Sequence, residues 1–149
     1  MIRELFQRDR PLFVGFDGDQ FAIGPQRRPE LAGLVTDLLP LRKRFHDGRL
    51  VCHSRDGHTA ANGQRCALCR DRWTCAERIR LMLLLDGLGP EPIPAVLEIG
   101  HGSFDQLDGL LRSVGPDRLP ATPVRIGLQR LQGRLRFTFS TVETQSVPR

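Results

Sequence analysis

The sequence predicts a mostly β protein: an OB-like five-stranded barrel with one helix and a zinc-binding loop inserted between the first two barrel strands. Three observations favour it. Apolar and polar residues alternate in several short stretches, as in half-buried strands. One amphipathic stretch carries helix start and stop signals. All four cysteines lie in one polar segment that follows the first long strand. A different small α+β sheet with one packed helix is the alternative.

Length and composition favour a single domain over residues 1–149. Hydrophobic residues make up 40% of the chain and charged residues 26%, which are ordinary values for a globular protein. No apolar run reaches the length that crosses a membrane. We expect no membrane partner, and a cytoplasmic location, because no secretory signal peptide is visible.

The N-terminal part predicts strands and turns. Leu12 to Phe16 and Phe21 to Ile23 flank Asp17-Gly18-Asp19, which predicts a hairpin within residues 11–24. Gly24 to Pro29 is expected to be a loop.

Residues 31–45 allow two interpretations. Their first apolar residues have helical spacing, but Gly33 and Pro40 disfavour a helix interior. From Leu39 onwards, apolar and basic residues alternate. We therefore predict one long, bent strand, followed by a turn at Asp47-Gly48.

The second half of the chain predicts four strands and the helix. Ile79 to Leu85 alternate as a strand, and Pro94 to Ile99 form another near a sheet edge, because proline cannot donate to a ladder. Ser103 to Gln106 have the form of a capping box, which begins a helix. Gly115-Pro116 ends it.

The last two strands are predicted at Val124 to Leu128 and Leu135 to Phe139. A turn at Gln132-Gly133 joins them. Residues 143–149 are expected to be a flexible tail.

The cysteine segment is too polar to form a hydrophobic core, so another interaction must order it. The spacing is Cys-x13-Cys-x2-Cys-x5-Cys. Four thiolates around one Zn²⁺ would contribute about 10–16 kcal/mol of apparent binding free energy. We predict a closed structural zinc site within an insertion over residues 47–76, in which His53 or His58 could replace one sulfur. The predicted ligands are Cys52, Cys66, Cys69 and Cys75.

Two other interpretations of the cysteines remain open. They could form two disulfides, although a chain of 149 residues can build a core without them. Cys66 and Cys69 could form a redox pair, although no strand-then-helix context surrounds them.

The cysteine pattern resembles that of small phage and mobile-element proteins. The residues that carry the resemblance lie within positions 45–86, and positions 93–140 agree in element order only. The matching residues are Cys52, Ser54, Asp56, Gly57, Cys66, Cys69 and Cys75.

The arrangement is also distantly similar to two single-strand binders. The C-terminal OB module of the large subunit of eukaryotic replication protein A has a four-cysteine zinc ribbon between its first two barrel strands. The T-even phage helix-destabilising protein also joins a zinc site to an OB-like core. These similarities imply binding of single-stranded DNA, in replication, recombination or transfer of a mobile element.

The charge of the chain is compatible with a polyanionic partner. The net charge is +5, and of 22 basic residues only Lys43 is a lysine. Arginine suits forked phosphate contacts and stacking on bases, although a solvated basic face is the simpler interpretation. We expect phosphate contacts from arginines on the insertion and on the non-core face of the strands, with Trp73 stacking on bases. The predicted nucleic-acid-binding residues are Arg55, Arg65, Arg70, Arg72, Trp73, Arg78, Arg80, Arg125, Arg134 and Arg136.

The predicted function is therefore zinc-stabilised binding of single-stranded nucleic acid without catalysis, with DNA as the favoured partner and RNA as the alternative. Neither a phosphate-binding glycine loop nor a nucleophile elbow is present. A non-catalytic protein-interaction subunit of a larger nucleoprotein assembly is the alternative, and a zinc-dependent nuclease is a third, weaker one.

Overall fold

A computed structural model describes residues 11–142. It confirms a mostly β protein with one α-helix in this part of the chain. Ten strands form a seven-stranded sheet and a three-stranded sheet. The strands are β1 (Leu12–Phe13), β2 (Gly15–Asp17), β3 (Gln20–Ile23), β4 (Gln26–Arg28), β5 (Glu30–His46), β6 (Arg49–Ser54), β7 (Ala76–Leu85), β8 (Ile93–Ile99), β9 (Val124–Leu131) and β10 (Arg134–Thr141); the helix is α1 (Phe104–Val114).

The long strand β5 is the centre of the larger sheet. The sheet order is β1-β8-β7-β5-β9-β10, and β6 also pairs with β5. One edge of β5 pairs with β7 from Gly33 to Lys43, and the other edge pairs first with β9 and then with β6. The register shifts between Val35 and Asp37, where a bulge bends the strand. The prediction of a long, bent strand is confirmed, and the helical alternative is wrong.

Gly33 allows β5 to pack closely against its neighbouring strands at the centre of the sheet. It pairs with Leu85 on β7 and with Val124 on β9. A Cβ atom at Gly33 would lie 1.9 Å from the carbonyl oxygen of Leu84, so the two strands can approach only because no side chain is present.

The sheet is not closed into a barrel, which corrects the finer part of the expected fold. β8 and β10 would have to meet to close it, but β8 pairs on its outer edge with β1, in parallel. The next residues cross to the other end of the sheet, where Phe16 and Phe21 lie 5.4 and 6.0 Å from Phe137, between ring centroids. The N-terminal strands thus connect the two ends of an open sheet.

Two further expectations for the N-terminal part need correction. The predicted hairpin exists between β2 and β3, but Leu12 and Phe13 leave it to pair with β8. The predicted loop over residues 24–29 contains β4, which pairs with β3 and completes the smaller sheet. The predicted tail over residues 143–149 lies outside the described residues.

The core lies between the larger sheet, the smaller sheet and the amphipathic face of α1. The alternating side chains of β7 and β8 provide its centre, and α1 adds Leu107 and Leu110. The predicted helix and its end at Gly115 are confirmed, but the capping box is not. The Ser103 hydroxyl instead accepts a hydrogen bond from the backbone N–H of Phe137 at 2.9 Å, which ties the helix start to β10. No helix in residues 11–142 is long and apolar enough to cross a membrane.

Candidate metal centre and arginine surface

The segment from Arg55 to Cys75 has almost no hydrophobic interior. Two short 3-10 turns, Cys66–Leu68 and Arg72–Thr74, are its only helical structure. Gly57 is its one buried residue, and among the others only the cysteines and Ala60 are partly buried. The cysteines are therefore the most shielded functional side chains of the segment.

All four cysteines line one small cavity of about 20 Å³, against the ends of β5 and β6. Such a volume accommodates a single water-sized or ion-sized particle. The four thiols are free, without a disulfide among them. The structure therefore brings together the four residues that the sequence singles out: Cys52, Cys66, Cys69 and Cys75.

The sulfurs share a cavity without forming a finished coordination shell. Within residues 11–142, no group of three or more His, Cys, Asp or Glu side chains has the geometry to hold a metal ion. Burial raises the pKa of Cys75, the neighbouring Cys69 and Cys52 raise it further, and Arg44 and Arg42 act in the opposite direction. The cysteines thus interact electrostatically, and binding of a metal would require their deprotonation.

The charges around the cavity suit a metal thiolate centre. Arg42, Arg44 and Arg72 line it with the cysteines. Four thiolates and one Zn²⁺ carry a net charge of −2, which nearby guanidinium groups would partly offset. The kinds of donor atom and the surrounding charges therefore suit zinc, whereas the positions of the sulfurs do not form its coordination shell.

Two of these arginines also fasten the loop to the sheet. Arg42 donates from Nε to the Gly57 carbonyl at 2.9 Å, and Arg44 pairs with Asp71 beside the second 3-10 turn. Sequence reasoning missed both roles. The signal was the alternation in residues 41–45, which places Arg42 and Arg44 on the same side of β5, where they pair with Ser54 and Cys52 of β6.

The two histidines have different positions. His53 lies on β6 and lines the cysteine cavity, whereas His58 lies outside it. Asp56 organises the turn at His58: its Oδ1 accepts hydrogen bonds from the backbone N–H groups of His58 and Thr59 and from the Ser54 hydroxyl. These hydrogen bonds lower the pKa of Asp56 to about 2, and the two from backbone N–H groups have the largest effect.

The loop presents five of the ten predicted nucleic-acid-binding residues to solvent. Trp73 is 82% exposed, and the guanidinium carbon of Arg72 lies 4.8 Å from the centre of its ring. Arg72 also donates to the Ala67 carbonyl at 2.7 Å. Arg55, Arg65 and Arg70 are exposed.

The strand arginines lie opposite the core, as alternation predicts, but most have local partners. Arg80 and Arg78 lie 3.0 and 3.8 Å from Glu98, between nitrogen and oxygen atoms. Arg125 lies 3.6 Å from Glu30. Arg136 donates to the Gly102 carbonyl at 3.1 Å, and Arg134 is exposed.

Two groups among these arginines, Arg78 with Arg80 and Arg125 by itself, lie far apart on the sheet. Arg80 pairs with Leu39 of β5, whereas Arg125 pairs with Ala32. Seven residues of extended strand separate the two positions, which is about 23 Å. The aromatic residue near the first group is Phe13, whose ring centre is 5.5 Å from the Arg80 guanidinium carbon. Sequence reasoning missed it, because Phe13 reaches this surface only through the pairing of β1 with β8.

No family model, curated protein or solved structure matches this chain. The resemblance to phage and mobile-element zinc proteins, and to the replication protein A module, therefore stays a prediction.

Proposed function

We propose that the protein binds single-stranded nucleic acid, in the first place DNA, through a zinc-stabilised arginine loop attached to an OB-like sheet, and that it does so without catalysis. The observation that carries the proposal is the gathering of four cysteines in one ion-sized cavity beneath a loop that exposes arginines and Trp73. A loop without a hydrophobic interior can hold such a surface only if something else orders it.

Zinc would supply that order. The sulfurs would have to move to surround one ion, from positions in which all four cysteines line the same cavity. Arg42 and Arg44 would then connect the metal centre to β5. The metal has a structural role in this proposal, because four cysteines leave no open coordination position.

The OB-like relation rests on strand order. In the path β8-β7-β5-β9-β10 the first long strand, β5, lies in the middle, with the second and fourth of the five predicted strands as neighbours. This is the order of an OB barrel opened between its third and fifth strands, and the OB-fold is itself partly open. Members of that fold bind oligonucleotides on strands and surrounding loops.

The loop arginines would make the main phosphate contacts. Arg55, Arg65 and Arg70 have no carboxylate partner within residues 11–142, whereas Arg78, Arg80 and Arg125 do. An arginine that is already paired must give up that pair before it binds a phosphate, so the sheet arginines would contribute less.

The test is a titration of a labelled single-stranded oligonucleotide at increasing salt concentration, with duplex DNA and RNA of the same sequence as comparisons. The proposal expects single-stranded DNA to bind more tightly than duplex, with affinity that falls steeply as salt rises. Absence of binding at low salt, or affinity that is independent of salt, would contradict it.

One observation favours the second candidate, a protein-interaction subunit. The end of the β5–β6 hairpin exposes Phe45, Leu50 and Val51, with about half of each side chain accessible. Apolar residues grouped at the end of a hairpin are typical of a docking surface. This function would be favoured over the first if another protein co-purifies, if substitution of Phe45 abolishes that co-purification, and if this protein has no affinity for oligonucleotides.

A further inference from the structure

Two adjoining cavities lie between the end of the sheet and the loop from Arg55 to Cys75, here called the metal loop after its proposed zinc ligands. The first, here called the arginine pocket, has a volume of about 290 Å³ and is lined by Arg42, His58, Arg65 and Arg72 among others. The second, the tryptophan groove, has about 700 Å³ and extends along Trp73. They share Arg42, Ala67 and Arg72, so they form one continuous depression.

The arginine pocket is arranged for an anion. Three guanidinium groups line it and no carboxylate does, but Glu77 of the adjoining groove lies 3.7 Å from Arg42, between oxygen and nitrogen atoms. Within residues 11–142, Arg65 and Arg72 have no carboxylate partner, so they are the arginines of the pocket that are free to bind an anion. The Arg42 and Arg72 side chains are fixed by hydrogen bonds to the carbonyls of Gly57 and Ala67. The Arg65 side chain, by contrast, has no hydrogen-bond or ion-pair partner in the described part of the chain, and Arg65 is exposed. A planar guanidinium group binds phosphate oxygens in a forked geometry, so phosphate is the anion that this pocket fits best.

The tryptophan groove offers a stacking surface beside that pocket. The Arg72 guanidinium lies over the Trp73 ring, and Trp73 is still 82% exposed. A nucleobase stacked on an aromatic ring next to arginine is the usual arrangement in proteins that bind single strands. In one nucleotide the base lies close to the phosphate, and the tryptophan groove likewise adjoins the arginine pocket.

We propose that this depression binds one nucleotide unit of a single strand, with the phosphate in the arginine pocket and the base against Trp73. This inference rests on the proposed function and adds where the nucleic acid binds. The primary contact is on the metal loop and not on the face of the sheet. The phosphate can be internal or a 5′-terminal one, because the same guanidinium groups bind both.

The test uses Trp73, the single tryptophan of the chain, as a reporter. A labelled single-stranded oligonucleotide, with or without a 5′-phosphate, is titrated into the full-length zinc-loaded protein. Probe anisotropy reports binding, and Trp73 emission reports stacking. We expect both signals to saturate at the same concentration. A dependence on the 5′-phosphate identifies a terminal phosphate, and its absence identifies an internal one; both support the site.

Two variants and a control complete the design. Arg65→Gln should weaken binding and reduce the slope of log affinity against log salt by about one. Trp73→Ala should weaken binding about 5- to 150-fold, and Trp73→Phe should restore most of it. Arg112→Gln, an equal loss of charge at an 81% exposed position on α1, should have no effect.

The outcomes separate the two proposals. The nucleotide site would be overturned if anisotropy changes while Trp73 emission stays constant and if Arg65→Gln and Arg112→Gln bind the oligonucleotide equally well. The proposed function would then remain in place. No anisotropy change at all would overturn both.

Discussion

The sheet and the metal loop of this protein are ordered by different interactions. The sheet and α1 bury a continuous set of apolar side chains, of which Leu81, Leu97 and Ile99 are completely inaccessible to solvent. Between Arg55 and Cys75 no hydrophobic residue is buried. The loop instead has a turn organised by Asp56, two arginines from β5 and four cysteines around one cavity. Stability of the sheet should therefore depend on packing, and the proposed zinc site predicts that order of the loop depends on the four cysteines.

The largest expected effect is that of removing the proposed zinc ion. A chelator, or Cys69→Ser, should accelerate tryptic cleavage at Arg65 and Arg70 more than about 100-fold, because binding worth about 10–16 kcal/mol is lost. Cleavage at Arg125 and Arg136 in the sheet should change little, which is the internal control. The measurement is limited proteolysis followed by mass spectrometry. Equal acceleration at all four sites would mean that the two regions are not independent.

The second effect should be confined to the sheet. Leu81→Ala leaves a cavity in the core, so we expect the free energy of unfolding to fall by about 2–5 kcal/mol in a urea titration. Leu68→Ala is the matched control, because the same atoms are removed from a side chain that is 70% exposed on the loop. It should change stability by less than about 0.5 kcal/mol. A large loss from Leu68→Ala would reveal packing in the loop that contradicts the comparison.

The third effect concerns the meeting point of β5, β7 and β9. Gly33→Ala would place Cβ 1.9 Å from the Leu84 carbonyl oxygen, and the strands would have to separate. We expect a loss of about 1–3 kcal/mol in the same titration. Gly109→Ala, where a new Cβ meets nothing within 4 Å, should be neutral or stabilise α1 by about 0.5–1 kcal/mol. Equal effects of the two substitutions would contradict the close approach at Gly33.

The smallest effect should come from Glu98 on the sheet. Burial raises the pKa of Glu98, but hydrogen bonds from Lys43 and Arg80 outweigh it, so the pKa lies below its ordinary value of 4.5. A lowered pKa means that the carboxylate stabilises the fold above pH 4.5 and that this contribution is lost as the pH falls further. Glu98→Gln should therefore flatten the acid limb of the stability curve. Glu91→Gln, at an exposed position, is the control, and an unchanged acid limb in Glu98→Gln would contradict the assignment.

The sequence predicted features that depend on local pattern better than those that depend on long-range pairing. The alternation in Ile79 to Leu85 and the stripe of α1 identify these elements directly, because each periodicity belongs to one kind of structure. The pairing of β1 with β8 cannot be read in this way, since a two-residue strand has no periodicity. That pairing leaves the sheet open and brings Phe13 to Arg80.

The candidate site also has features that local sequence predicts and features that depend on long-range pairing. The cysteine spacing identifies the four residues that line the cavity, because a close cysteine pair with two flanking cysteines is a pattern typical of residues that converge on one ion. The roles of Arg42 and Arg44 depend on the register of β5 against β6, and the Ser103 hydroxyl is used by β10 and not by its own helix. Each is fixed by tertiary contacts that a local motif does not encode.

The most direct test of the account is native mass spectrometry of the purified protein, combined with thiol counting. We expect one Zn²⁺ per chain, four free thiols after denaturation in chelator, and loss of the metal in Cys66→Ser. A metal-free wild-type protein in which the loop resists proteolysis, two disulfides, or full zinc content in Cys66→Ser would contradict it.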